Sequence, residues 1–341
     1  MAIPIPPLPE QQRIVAKLDG LMARSARARA DLDRVPVLAA RYKEAVLLMA
    51  YSGQLTADFR GRARRSGEGL RKELLDQRRE RLRRAGHRVV PGDADVDFGA
   101  EADLPRLPEG WTWMPVMGLA TKVVDGVHKK PNYIASGIPF VTVKNLTAGP
   151  ELTFEGCRFV SAEDHAEFCR RTQPERGDIL ISKDGTLGVA RAVRADKPFS
   201  LFVSVALVKP IDPSFTDYLE LAFQSPILQR QMGGVGSGLQ HIHLTDLRKD
   251  MIPVAPTAER EEIVRRTKAA LAEIDRLAAE AAAARRLLDR LDQAILDKAF
   301  RGELVPQDPA DEPASILLDR IRVEQAGGPT GARRGRRPRA A

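Results

Sequence analysis

Cysteine is nearly missing from this chain: Cys157 and Cys169 are the only two in 341 residues. That excludes the disulfide framework of a small secreted domain and suits a reducing cytoplasm, with pairing of these two thiols left open. Long apolar runs are missing too. No stretch reaches the ~20 consecutive apolar residues of a bilayer-spanning helix, and the first residues are proline-rich rather than basic and then apolar. The expectation is a soluble cytoplasmic protein with no membrane contact.

Charge of one sign does not dominate. The 54 basic and 46 acidic residues leave a net charge of +8, which permits a polyanionic partner without demanding one. By region the net charge is +5 over residues 1–104, +1 over 105–255 and +2 over 256–341. A nucleic-acid surface in the nearly neutral middle must therefore come from local clustering. Arg333, Arg334, Arg336, Arg337 and Arg339 fall in a Gly/Pro-containing tail expected to be disordered, and add non-specific attraction at most. Catalytic signatures are also absent: there is no Gly-x-Ser-x-Gly elbow, and no Asn-Pro-Pro-aromatic or Asp-Pro-Pro-aromatic segment for methylating a flipped base. Chemistry is expected to be done elsewhere.

What is present is a duplication. Ile3-Pro4-Ile5-Pro6-Pro7 through Glu10 and Ile14-Val15 returns as Ile252-Pro253-Val254-Ala255-Pro256 through Glu259 and Ile263-Val264, at a constant offset of 249. Ala45, Ala50, Gly53 and Leu55 land on Ala294, Ala299, Gly302 and Leu304 in the same register. Two copies around a different middle suggest a spacer carrying a reader.

In the second copy Ile263, Thr267, Ala270, Ile274, Leu277, Ala281, Ala284, Leu288, Leu291 and Ile295 recur at alternating steps of four and three. The matching seam in the first copy is Ile14, Leu18, Leu21, Ser25, Ala28, Leu32, Val35, Ala39, Tyr42 and Val46. Pro9 and Pro256 mark helix starts, and Gly53 and Gly302 mark helix ends. From Glu10 to Ser52 a continuous helix would run roughly 65 Å at ~1.5 Å per residue, so its stripe needs a partner. Pro36 should kink the first copy, while its counterpart Arg285 should leave the second straighter. The expected pairing is an antiparallel coiled coil between the copies. Ordinary amphipathic helices of a bundle are the alternative.

Residues 57–104 read as an Arg-rich linker with a short helix near Leu70–Arg84, and a globular domain starts near Leu107-Pro108-Glu109-Gly110-Trp111. Strands are expected at 138–143, 178–182, 188–193 and 202–208, and a helix over Tyr218–Gln231 interrupted at Pro226. The fold class is α+β: one globular domain flanked by two long helical regions that pair as an antiparallel coiled coil. The boundaries are 1–56 for the first helical region, 57–104 for the linker, 105–255 for the globular domain, 256–305 for the second helical region, and 306–341 for a C-terminal segment with its basic tail.

Individual motifs in the middle are weak. Gly233 to Gly238 lacks the Lys and Ser/Thr of a phosphate loop, so a plain turn is expected. Asp178, Lys183 and Asp184 suggest a Mg²⁺-dependent nuclease, but Gly185 after Asp184 reads better as a hairpin turn. His241 and His243 alternate on a possible strand without a third ligand, so no metal is expected.

Taken together, the residues resemble the specificity subunits of type I restriction-modification systems. The Ile5–Val15 segment, its helix ending in Ala50-Tyr51-Ser52-Gly53-Gln54-Leu55, and the second ending Ala299-Phe300-Arg301-Gly302-Glu303-Leu304 are similar to that family's shared helical regions. Leu107–Trp111, Gly137-Ile138-Pro139, Gly177-Asp178-Ile179-Leu180 and Gly185-Thr186-Leu187-Gly188 resemble a target recognition domain. The likeness covers nearly all of residues 3–325.

The resemblance implies a non-catalytic subunit of a DNA methyltransferase/endonuclease complex that reads one half of a bipartite site in double-stranded DNA. It implies docking of modification and restriction subunits, with S-adenosylmethionine, ATP and Mg²⁺ held by those partners and no cofactor in this chain. The chain departs from the family pattern in having one recognition domain, beginning at what would be the tail of a preceding one. That leaves a homodimer, a second half-subunit supplied by a split gene, or an inactive remnant. A coiled-coil protein-interaction scaffold without sequence-specific DNA binding is the rival reading. For base reading the expected residues are Lys144, Asn145, Lys183, Thr186, Gln240 and His241, and for phosphates Lys129, Lys130 and Ser237.

Overall fold

The computed structural model describes residues 5–60, 66–85, 104–233 and 241–327. It is a mixed helix-and-sheet protein that divides into two compact units, residues 1–39 with 275–341, and residues 40–274.

In the first unit, helix α1 (Leu8–Leu32) is followed after a two-residue turn by α2 (Val35–Tyr51), which continues into the second unit. The break falls ahead of Pro36 rather than on it. A proline ring clashes with the carbonyl four residues back, here that of Leu32, and α1 stops at Leu32; Pro36 then sits in the first turn of α2, where its missing N–H costs nothing. Helix α9 (Thr257–Phe300) runs unbroken through Arg285, as the absence of a proline there predicts. Helix α10 (Ala314–Gly327) closes the described chain. Side chains of the first unit pair in opposite order along its two segments: Arg13 with Asp311 at 2.6 Å, Arg29 with Asp289 at 3.2 Å and with Asp292, and Asp33 with Arg285 at 3.1 Å.

The expected seam is sheltered from solvent in the first copy except at Tyr42. In the second copy Leu277 and Leu291 are exposed, and the sheltered line passes through Ala278 and Asp292 instead. The seven-residue period itself persists, because Ile274, Ala281, Leu288 and Ile295 stay sheltered, and at two places the sheltered position lies one residue further along.

Glycine ends both copies. Gly53 and Gly302 stand two residues beyond Tyr51 and Phe300 with φ of +78° and +71°, the left-handed conformation of a helix C-terminus. After Gly53 the Leu55 N–H donates to the Met49 carbonyl at 3.0 Å, satisfying a carbonyl of the last turn.

The second unit holds helix α3 (Gly67–Arg84) and the globular domain. A two-stranded antiparallel sheet pairs β1 (Thr112–Pro115) with β9 (Met251–Val254), so the first strand of the domain meets the last. A four-stranded antiparallel sheet has the order β2 (Ala120–Asp125), β8 (Val205–Pro210), β5 (Ile179–Ser182), β6 (Ala190–Ala192). A third sheet sets β3 (Ile138–Val141) between β4 (Arg158–Val160), antiparallel, and β7 (Ser200–Leu201), parallel.

Both faces of the four-stranded sheet are covered, which is why β5 and β8 read as continuous apolar runs. Ile179, Ile181, Ala206 and Val208 point to a core shared with Phe215, Tyr218, Leu219 and Phe223, while Leu180, Val205 and Leu207 point to a second core with Val141, Leu146, Phe199 and Leu201. Short helices fill the connections: α4 (Val143–Thr147), α5 (Ala162–Cys169), α6 (Thr216–Gln224), α7 (Pro226–Gln231) and α8 (Leu244–Lys249). The interruption at Pro226 occurs as the sequence predicts. The Ser225 hydroxyl accepts from the Leu228 N–H, and Pro226 opens α7 as its first residue. His243 is not on a strand; it is the residue immediately before α8.

Candidate nucleic-acid interface

At the end of β2 the Asp125 carboxylate is buried and ringed by basic side chains. Arg171 donates to Oδ1 at 2.5 Å, His128 Nε2 lies 3.2 Å from the same oxygen, and Lys183 Nζ lies 3.5 Å from Oδ2. The Thr172 hydroxyl holds the Asp125 backbone carbonyl at 2.7 Å. Burial pushes the carboxyl pKa up, but Arg171, His128 and Lys183 outweigh it, and the net displacement is below the ordinary value. The side chains of His128 and Arg171 remain more than half exposed while the anion between them is inside. One buried negative charge thus anchors two exposed basic side chains, His128 and Arg171, while that of Lys183 is largely covered.

Lys183 opens the loop between β5 and β6. Its N–H donates to Ser204 O, its own carbonyl accepts from the Ile242 N–H, and Asp184 forms an isolated antiparallel bridge with His241. The base of the loop is closed by Ser182, whose backbone carbonyl accepts from Gly188 N–H at 2.8 Å and whose hydroxyl accepts from Val189 N–H at 2.9 Å. Gln229 Nε2 donates to Gly188 O at 2.8 Å from α7. Thr186 is exposed in this loop, and the His241 and His243 rings meet edge to face with centroids 4.2 Å apart.

The structure therefore gathers the 125–130 segment, the 183–188 loop and His241. Lys129 and Lys130 follow His128 and are exposed. Lys144 is exposed on α4 and takes no part in the ion pairs around Asp125. Asn145 is turned inward, contrary to its expected role: its Oδ1 accepts from the Thr142 N–H in a capping box, and its Nδ2 donates to Glu155 O and Cys157 Sγ. Ser237 and Gln240 lie outside the described residues.

Sequence reasoning missed Asp125, His128 and Arg171, which are brought together only by the fold. It also missed a cleft of about 630 Å³ whose walls carry Arg81, Arg84, Lys122, Arg170, Arg176 and Lys209 against two carboxylates, Glu175 and Asp178. No linear pattern announces either group, because their members come from separate elements. In the nuclease-like trio, Asp178 is held by Lys209 at 2.7 Å, whereas Lys183 lies 3.5 Å from Asp125 and 3.9 Å from Asp184. Among the described residues no group of three or more His, Cys, Asp or Glu side chains is placed to hold a metal ion. Cys169 lies 3.4 Å from His165 Nε2, but burial raises the thiol pKa and lowers that of the imidazole, the reverse of an activated thiolate pair.

No family model matches the chain. The EcoBI specificity subunit of a type I restriction enzyme from Escherichia coli is 27% identical over 341 residues, covering 95% of this chain and 64% of its own length. The EcoKI specificity subunit from Escherichia coli strain K12 is 26% identical with the same two coverages. A chain of a type I R-M system, solved for its complex assembly and conformational transition, matches with a TM-score of 0.55 at 24% identity, over 89% of this chain and 62% of that one, a likeness of fold. No helix among the described residues is long and apolar enough to cross a membrane. Along nearly its whole length the chain is thus similar to specificity subunits of type I restriction enzymes, and it spans about 64% of theirs.

Proposed function

We propose that this chain is the DNA sequence-specificity subunit of a type I restriction-modification complex, with residues 105–255 as its target recognition domain. The observation that carries the reading is the convergence of His128, Arg171 and Lys183 on buried Asp125, in a chain similar over 95% of its length to specificity subunits. Guanidinium, imidazole and ammonium donors held by a fixed anion suit phosphate oxygens and the acceptor atoms of base edges. Arg171, Lys183, Thr186 and His241 are assigned to the reading edge, with Lys129, Lys130 and Lys144 positioning the backbone. Asn145 leaves the set. The likeness to specificity subunits favours a DNA reader over a protein-interaction scaffold.

In this reading the two repeat copies pair as an antiparallel coiled coil that docks modification and restriction subunits. Methylation and cleavage belong to those partners, which hold S-adenosylmethionine, ATP and Mg²⁺, in the cytoplasm. Residues 105–255 read one half of a two-part site, and a second recognition domain supplies the other half.

The test is selection from a random duplex library by the purified chain mixed with its modification subunit. Enrichment of a defined sequence is expected, weakened at least tenfold by Arg171→Ala with Lys183→Ala. Absence of any enriched sequence from a folded complex would overturn the reading.

A further inference from the structure

Two lysines of the four-stranded sheet face each other. In the antiparallel pairing of β2 with β8, Lys122 stands opposite Lys209. Like charges set directly across a strand pair repel and cost stability. Lys209 has its anions, since its Nζ lies 2.9 Å from Glu175 and 2.7 Å from Asp178. Lys122 does not. It is half-buried, its ammonium makes no hydrogen bond or ion pair among the described residues, and burial together with the cations Lys209 and Arg171 pushes its pKa below the ordinary value.

Lys122 forms part of the cleft of about 630 Å³, where further cations meet it. Helix α3 supplies Arg81 and Arg84. Buried Arg78, one turn before Arg81, fixes that helix by donating from Nε to the Ala120 carbonyl at 3.0 Å, beside Lys122 on β2. Arg170 comes from the end of α5. Glu175 and Asp178, the two carboxylates on the described walls, are both taken by Lys209, while Arg84 and Arg176 pair with Glu80 and Asp196 outside the cleft. Arg81 and Arg170, like Lys122, form no salt bridge among the described residues. Cations from three separate elements thus converge without an anion among the described residues to neutralise them.

The walls also specify the ligand. No aromatic ring is among the described lining residues, so nothing there stacks on a base. Guanidinium forks and an ammonium match phosphoryl oxygens, and the volume is that of a small-molecule site. We propose that this cleft binds a compact anion carrying two or three phosphoryl groups, held by Arg81, Lys122 and Arg170. The anion lies against Lys122 and offsets its repulsion with Lys209. A free polyphosphate and successive phosphates of a nucleic-acid strand present the same chemistry. The inference stands apart from the base reading assigned to the Asp125 group.

The experiment titrates sodium tripolyphosphate into the full chain by calorimetry, in magnesium-free buffer of low ionic strength. One saturable site is expected, weakened at least tenfold by Lys122→Met with Arg170→Ala, and at least tenfold weaker for orthophosphate. Arg320→Ala with Arg322→Ala removes the same charge from α10 and should leave the affinity unchanged. Thermal unfolding gives a second readout. Lys122→Met alone should unfold no earlier than the wild type, and tripolyphosphate should raise the midpoint of the wild type but not of the cleft double variant. Absence of saturable binding, equal binding by the cleft variant, or an equal loss in the α10 variant overturns the proposal, as does orthophosphate binding as tightly as tripolyphosphate. A short random duplex added in competition separates the two sources, and either result supports the site: displacement of tripolyphosphate assigns it to a DNA backbone, and undisturbed binding assigns it to a free polyphosphate. Lost DNA selection with intact tripolyphosphate binding would count against the proposed function alone.

Discussion

Trp111 and Glu259, 148 residues apart, are joined by an indole N–H donating to Oε2 at 2.9 Å, which fastens the residue just ahead of β1 in the globular domain to the first turn of α9. Arg60 and Thr56 hold the other carboxylate oxygen. Trp111→Phe should cost about 1–3 kcal/mol, the expected loss when one buried hydrogen bond goes. Glu259→Ala strands three donors at once and should cost more, about 3–5 kcal/mol. Urea unfolding of both variants checks the order, and equal midpoints would contradict it.

The two helix-ending glycines should respond unequally to alanine. Both have left-handed φ, which costs a residue with a Cβ roughly 1–2 kcal/mol. At Gly53 a Cβ would also lie 2.5 Å from Pro108 Cγ and 2.7 Å from Arg60, whereas at Gly302 its nearest neighbour is the flexible end of Gln307 at 3.3 Å. Gly53→Ala should therefore be the more destabilising by about 1 kcal/mol or more, an overpacking cost read from thermal or urea unfolding.

Asp250 gives the fold an unusual pH dependence. Burial, with nearby Asp246 adding, pushes its carboxyl pKa up to about 7, and its Oδ2 has no partner among the described residues. The folded state therefore keeps a proton that the unfolded chain releases at its ordinary carboxylate value. Stability from this group is greatest below about pH 4, falls as pH rises to about 7, and is level above that. Asp250→Asn should gain on the order of 2 kcal/mol at pH 8 and little near pH 4. Denaturant titrations at the two pH values measure the difference.

On DNA, Lys129 and Lys130 should act through charge. Replacing both with alanine should flatten the slope of log affinity against log salt by about 0.9 for each phosphate no longer neutralised, and weaken selected and random duplexes alike. A change confined to the selected sequence would instead make them base readers.

The long helices and their caps were legible because their signals are local: Pro9 and Pro256 at the starts, Gly53 and Gly302 at the ends, and an apolar spacing copied across 249 residues. The exposure of Leu277 and Leu291 was not, since the next residues, Ala278 and Asp292, take the sheltered places while the seven-residue period continues through Ile274, Ala281, Leu288 and Ile295. In the site, Lys183 and Thr186 could be picked from a turn sequence, whereas Asn145 could not be recognised as a cap. Its capping partner Thr142 is three residues away, but its other neighbours, Glu155 and Cys157, return from a later segment. Asp125 and Arg171 gave no signal because an ion pair across 46 residues has no sequence period.

The clamp at the foot of the β5–β6 loop is built from Ser182, Gln229 and main-chain atoms, and the Thr186 side chain at the tip takes no part in it. Anchorage and vocabulary are thereby separated. Substitutions at the tip should therefore leave both hydrophobic layers beneath it undisturbed, and if the loop reads DNA as proposed, changes of specificity should collect there while the clamp residues stay put.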